Sequence, residues 1–140
     1  MIGTLIAKAK SSKNFDALNR HDVTPIMKSC SEDVVFVYPG DIKLSGTYKG
    51  KEALNSFFQQ MFTQFPTVNY KVTDVAASNS FDLFGNNVTF SRWDVEVINR
   101  DGVKMTNQGV TVVKLRWAKA YYVEHIFDTS EKFRAAWGEA

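Results

Sequence analysis

The second half of the chain constrains the fold more than any other part, because it is a run of long segments that alternate in polarity. Residues 68–77, 88–98, 103–117 and 120–127 each place β-branched or aromatic side chains at about every second position, the mark of strands with two unlike faces. Turn-forming groups separate them: Gly85-Asn86-Asn87, Asn99-Arg100-Asp101-Gly102 and Trp117-Ala118-Lys119, with the Asp-Gly pair the strongest hairpin signal. Strands joined by such short turns pair antiparallel. Gly109, in the middle of the third strand, marks a bulge or sharp bend of the kind that curls a sheet toward a barrel or cone.

The first half reads differently. Ile2, Leu5, Ile6 and Ala9, then Phe15 and Leu18, fall at helical spacing and predict a helix over residues 2–19. Asp22 before Val23-Thr24-Pro25 is the start of a short second helix ending near Cys30. Val34 to Tyr38 is a strand stopped by Pro39-Gly40, and a loop closing on Gly50 follows it. Leu54, Phe57, Phe58, Met61, Phe62 and Phe65 form the clearest apolar helical stripe, ended by Pro66. A last short helix spans residues 130–137. Helices followed by a meander of strands predict an α+β domain over residues 1–140: a curved antiparallel sheet forming a cone, closed by N-terminal helices.

Residues 87–98, NVTFSRWDVEVI, carry the chemistry. Phe90, Arg92, Asp94 and Glu96 share one face, and Ser91, Trp93, Val95 and Val97 the other. Either the charged side faces water on an ordinary half-exposed strand, or the sheet wraps it around a cavity and Arg92 and Asp94 become the polar groups of an apolar pocket. In the last strand, Asp128 shares parity with Tyr122, Glu124 and Ile126, whereas His125 points the opposite way and is not expected to join the same site. Asp128-Thr129-Ser130-Glu131 also has the spacing of a helix cap.

Composition narrows the function classes. A net charge of +2 from 17 basic and 15 acidic residues gives little pull on phosphate backbones, so nucleic acid is not indicated. Lys8, Lys10 and Lys13 read as a solvated helix face. The single cysteine excludes an internal disulfide, and two histidines without paired spacing argue against a metal site. No apolar run approaches the roughly 18 residues of a membrane span and no signal peptide opens the chain, so the expected compartment is the cytoplasm.

Several strings in order resemble the nuclear transport factor 2-like superfamily, including the SnoaL-like polyketide cyclases, ketosteroid isomerases and limonene epoxide hydrolases. They are Ala17-Leu18-Asn19-xx-Asp22, Ser31-Glu32-Asp33-Val34-Val35, Tyr38-Pro39-Gly40, Ser45-Gly46-Thr47, Gly50-Lys51-Glu52-Ala53 and Ile126-Phe127-Asp128. The resemblance implies a cone whose cavity holds a small apolar molecule, with no cofactor. The isomerase's tyrosine falls on Asn14, its aspartate base on Tyr38 and its second aspartate near Thr111, so that chemistry is not carried over. The hydrolase's Arg-x-Asp matches Arg92-Trp93-Asp94, and its late aspartate matches Asp128, although Phe36 and Tyr38 stand where it holds water.

The resemblance therefore implies a catalytic group of Arg92, Asp94 and Asp128, with Asp128 as base and Asp94 as acid. Phe15, Phe36, Tyr38, Phe57, Phe58, Met61 and Phe62 are the expected apolar wall of the pocket. If the charged face lines the cone, Trp93, Val95 and Val97 lie outside it and should bury against a second copy, in a homodimer through the sheet. The alternative is a non-catalytic ligand-binding or dimerisation module on the same fold.

Overall fold

The computed structural model describes residues 2–79 and 86–139. In chain order these form α1 (Ile2–Asn19), α2 (Thr24–Ser29), β1 (Cys30–Tyr38), β2 (Gly46–Lys49), α3 (Lys51–Gln64), β3 (Thr67–Ala77), β4 (Asn86–Ile98), β5 (Lys104–Arg116), β6 (Lys119–Phe127) and α4 (Glu131–Ala136). The strands make one curved, unclosed sheet in the order β2-β1-β6-β5-β4-β3. Among the described residues only the β1–β6 pair is parallel; the meander from β3 to β6 is antiparallel. The stretch expected to be loop before Gly50 contains β2, whose Gly46–Lys49 pairs with β1 from Tyr38 to Val35. Four residues with a single aromatic give too short a pattern for periodicity to register. Gly85, in the expected β3–β4 turn, lies outside the described residues.

The helices occupy the concave side. α3 buries Leu54, Phe57, Phe58 and Met61, the stripe the sequence displays, and lies against β1 and β2. α1 lies along β3, and its C-terminal end is pinned by a two-way bond: Asn19 Nδ2 donates to the Tyr70 carbonyl (2.9 Å) and Tyr70 N–H donates to Asn19 Oδ1 (2.6 Å). Phe15, Ala17 and Leu18 are buried near that pin, while Leu5 and Ile6 toward the other end remain exposed. The β4–β5 turn is tied to α4 through Asn99. Its Nδ2 donates to the Ala136 carbonyl (3.0 Å) and its Oδ1 accepts from Asp101 and Val103 N–H (2.9 Å each).

Gly109 is not a bulge. It sits in an uninterrupted β4–β5 register, opposite Trp93; the irregularities fall instead at Val72/Asp74, Lys114/Leu115 and Cys30/Val35. A Cβ at Gly109 would lie 2.6 Å from the Ile126 carbonyl oxygen and 2.8 Å from Trp93 Cη2, so the position is empty to admit the indole.

The sheet's handedness of burial is the opposite of that required by the Arg92/Asp94 pocket. Ser91, Trp93, Val95 and Val97 are buried on the concave side, Trp93 to 1% exposure, whereas Phe90, Arg92 and Asp94 are exposed on the convex side. The energies decide this. An aromatic of indole size buries on the order of 200 Å², roughly 5 kcal/mol at about 25 cal/mol/Å², and the neighbouring valines add to it. Burying a guanidinium and two carboxylates would cost several kcal/mol for each. The apolar stripe offered as a dimer face is therefore the core of the domain itself. No helix among the described residues is long and apolar enough to cross a membrane.

Candidate functional site

The concave space has two unequal halves, and inward residue size explains the division. Toward its C-terminal end β4 contributes Trp93, Val95 and Val97, which pack with Tyr38, Met61, Phe65, Tyr70, Phe127, Phe133 and Trp137 around a residual space of only about 30 Å³. Toward its N-terminal end the inward residues are Asn87, Thr89 and Ser91, which are too small to fill the space below the helices, although Ser91 touches α1 through its hydroxyl. Opposite them α1 presents Ala7, Ser11 and Asn14, also small. The consequence is a cavity of about 280 Å³, walled by Phe15, Leu18, Phe36, Leu54, Phe58, Val113, Leu115 and Val123. That is close to the lower end of the about 300–1,000 Å³ usual for small-molecule sites.

A short polar chain runs into this cavity from the packed half. Trp93 Nε1–H donates to Thr111 Oγ1 (2.9 Å), and Thr111 Oγ1 lies 3.4 Å from His125 Nδ1. The hydroxyl keeps a second lone pair as well as its own proton, so it either accepts from Nδ1 or donates to it; when it donates, the ring proton sits on Nε2. His125 is buried, 6% exposed, and burial pushes its pKa down to about 4, so the imidazole is neutral at ordinary pH. Nε2 has no hydrogen-bond partner among the described residues. Because no sealed side-chain nitrogen or oxygen there lacks a partner, Nε2 opens into the cavity that His125 lines.

Other polar groups are placed around it. Ser11 and Ser91 hydroxyls bond to each other at 2.7 Å, linking α1 to β4. The Asn14 side chain, also lining the cavity, forms no hydrogen bond with another described residue. Cys30 lines it as well, but burial raises its thiol to about 11, which keeps it protonated and unreactive. No Asp or Glu is among the described residues that line the cavity; the charged one is Lys10. Among the described residues there is no group of three or more His, Cys, Asp or Glu able to hold a metal ion.

Arg92, Asp94 and Asp128 do not converge in the cavity. Arg92 Nη1 is 3.8 Å from Asp94 Oδ1, but both side chains are about half exposed, and the guanidinium is otherwise held by Thr73 Oγ1 (3.1 Å) and Gln108 Oε1 (2.7 Å). Asp128 accepts the Ser130 N–H at 2.9 Å, which lowers its pKa, and its other oxygen faces Lys132 at 3.8 Å. The N-cap of α4 is Ser130, without a side-chain cap bond, so Asp128 turns the chain ahead of the helix and does not cap it as its spacing suggested. Asp94 and Asp128 do border one shallow, open groove on the convex face, with Lys71 and Lys132, and no bond joins Arg92 to Asp128. An acid and a base that share solvent in this way have no water-excluding site in which to act.

Of the seven expected wall residues, Phe15, Phe36 and Phe58 line the cavity. Tyr38, Phe57 and Met61 are buried in aromatic packing instead, and Phe62 stacks on His21 at 4.4 Å between ring centroids. His125, Thr111, Ser91 and Ser11 were not foreseen. The signal for them was present: Asn87, Thr89 and Ser91 share the parity of Trp93, and small polar residues in line with a buried indole mark a place where the core is not filled.

Among known proteins, the match to residues 13–123 is the SnoaL-like domain. No curated protein matches the sequence. A protein of unknown function from Burkholderia pseudomallei, described as NTF2-like, superposes with a TM-score of 0.78 at 19% identity, over 91% of this chain and 94% of that one. A putative aromatic ring hydroxylase from Novosphingobium aromaticivorans gives 0.77 at 16% identity, over 96% of each chain. TerC, co-crystallised with polyporic acid, gives 0.72 at 21% identity, over 97% of this chain and 98% of that one.

Proposed function

Because the chain belongs to the SnoaL-like domain family, and its cavity is apolar with one aimed donor, we propose that it binds a compact, largely apolar molecule carrying a carbonyl or similar acceptor. The observation that carries this reading is the buried, neutral imidazole of His125 at the end of the Trp93–Thr111 chain; with the Thr111 hydroxyl donating to Nδ1, its Nε2–H opens into a largely apolar space. A donor left unpaired in such a place rewards an acceptor, and one hydrogen bond made there is worth about 0.5–1.5 kcal/mol in ligand affinity. The co-crystallisation of TerC with polyporic acid supports the view that this fold can be supplied with a small organic molecule.

Binding is the reading the residues favour over carboxylate acid/base catalysis, since the described lining holds no carboxylate. A neutral N–H could still polarise a bound carbonyl, and it would be the cavity group positioned to stabilise negative charge on that oxygen. The test is a pair of ligands alike in shape, 2-acetylnaphthalene and 2-ethylnaphthalene, titrated against the wild type and His125→Phe. The ketone should bind the wild type several-fold more tightly than the hydrocarbon, and the preference should vanish in the variant. A preference that persists without His125, or ligands that bind nowhere in the protein, would refute the proposal.

A further inference from the structure

The cavity opens between the N-terminal part of α1, the end of α2 and the β5–β6 turn, since Ile6, Lys10, Ser29 and Ala118 all border it and Ile6 and Lys10 are exposed. The segments that frame this mouth, residues 2–15, 23–31 and 117–123, hold Lys8, Lys10, Lys13, Lys28 and Lys119 and no acidic residue, and Lys10 lines the cavity itself. Five of the 17 basic residues thus lie on segments that carry none of the 15 acidic ones, although the chain as a whole is nearly balanced. All five are exposed, and none forms an ion pair among the described residues.

Lys119 Nζ donates to the Lys28 carbonyl at 2.6 Å, which leaves its charge in place. Lys114 and Arg116, 4.7 Å over the rings of Tyr122 and Tyr121, alternate with the inward Val113 and Leu115 and stand on the convex face. Of the acids that flank the mouth segments, Glu32 pairs with Lys51, Glu124 accepts the Tyr122 hydroxyl, Asp22 accepts the Thr24 N–H and feels Lys28, and Asp16 follows Phe15 toward the pinned end of α1. An apolar cavity behind a mouth of net positive charge concentrates anions that have an apolar body.

Resting on the ligand-binding reading above, we infer that the molecule this cavity takes is an organic monoanion, its apolar body inside and its carboxylate or equivalent acid held at the mouth by Lys10. The length available fits. Thr111, beside His125, and Leu115, near the mouth, are inward residues of one strand four positions apart, a span of ~13 Å at about 3.3 Å per residue. A chain-linked aryl acid covers that distance, with an acceptor near His125 as an additional hold.

The experiment uses 6-phenylhexanoate and its uncharged primary amide as the probes, each displacing the neutral fluorophore N-phenyl-1-naphthylamine from the full-length protein. At about 0.01 M salt the acid should bind roughly three- to ten-fold more tightly than the amide. The gap should close at about 1 M salt, where the screening length falls from about 30 Å to about 3 Å. Lys10→Gln should weaken the acid and leave the amide unchanged, and Lys10→Glu should invert the preference.

Equal binding of acid and amide at both salt concentrations overturns the inference and leaves the cavity reading standing. Failure of the fluorophore and both probes to bind overturns the two together. Vesicles of anionic phospholipid are the remaining arm. If they sediment with the protein at low salt, and Trp117→Ser abolishes this while the acid shows no advantage over the amide, the charge serves a lipid surface and the inference is wrong.

Discussion

The pH dependence of stability offers the sharpest check on His125, because it probes the buried imidazole without needing a ligand. In the unfolded chain this histidine titrates at the ordinary imidazole value of 6.5, and in the folded protein burial lowers it to about 4. Between those values the unfolded state binds a proton that the folded state does not. Stability from this group is therefore complete above pH 6.5 and is lost as pH falls toward 4, with no further loss below. Each pKa unit corresponds to about 1.4 kcal/mol, so lowering the pH from about 7.5 to about 5 should remove about 2 kcal/mol through His125 alone. The assay is urea unfolding of the wild type and His125→Phe at both pH values, read as the change in each protein's free energy of unfolding. The exposed His21 and the carboxylates are common to both chains and cancel in the difference. The wild type should lose about 2 kcal/mol more than the variant over this window. Equal losses would refute a buried, neutral His125, and with it the donor on which the proposed function rests.

Three other outcomes follow from the geometry. Gly109→Ala should destabilise the protein by about 1–3 kcal/mol in the same urea assay, since its Cβ meets the Ile126 carbonyl and the Trp93 ring within 3 Å; a neutral change would show that the indole is not packed there. Asp94→Asn should alter stability by less than about 1 kcal/mol and leave ligand affinity unchanged in calorimetry, because its ion pair with Arg92 is half exposed and outside the cavity. Thr89→Phe should fill the wide end of the cavity and reduce binding of N-phenyl-1-naphthylamine at least several-fold, with the far-ultraviolet circular dichroism spectrum unchanged.

The positions of most elements were legible in the sequence, β2 and the first residues of β1 excepted, and so was the grouping of residues by face. Periodicity placed α1 at residues 2–19 and β4 within two residues of its observed start. It also separated Arg92, Asp94 and Glu96 from Ser91, Trp93 and Val95, and His125 from Glu124 and Asp128. Those are local facts, set by the alternation of successive side chains along a strand. The family resemblance added the α+β cone, and it laid the isomerase's site positions on Asn14 and near Thr111, two residues that do line the cavity although neither is the residue type that chemistry needs.

Which face is the inside was settled only by the tertiary structure. Alternation is symmetrical: it states that two sets of residues are opposed, and both assignments satisfy it equally. The choice is made where β4 meets α1, β3 and β5, by the free energy of burying Trp93 and its valines against that of desolvating Arg92 and Asp94. The match to Arg-x-Asp favoured the second set and the physics the first. The cavity likewise belongs to no single stretch. It exists because Asn87, Thr89 and Ser91 on β4 face Ala7, Ser11 and Asn14 on α1 across a gap that the Ser11–Ser91 bond bridges at one point and small side chains leave open elsewhere, and because Trp93 stops the packed core one row short of it. Residues 80 positions apart become partners, as Ser11 and Ser91 do, only when the chain has folded.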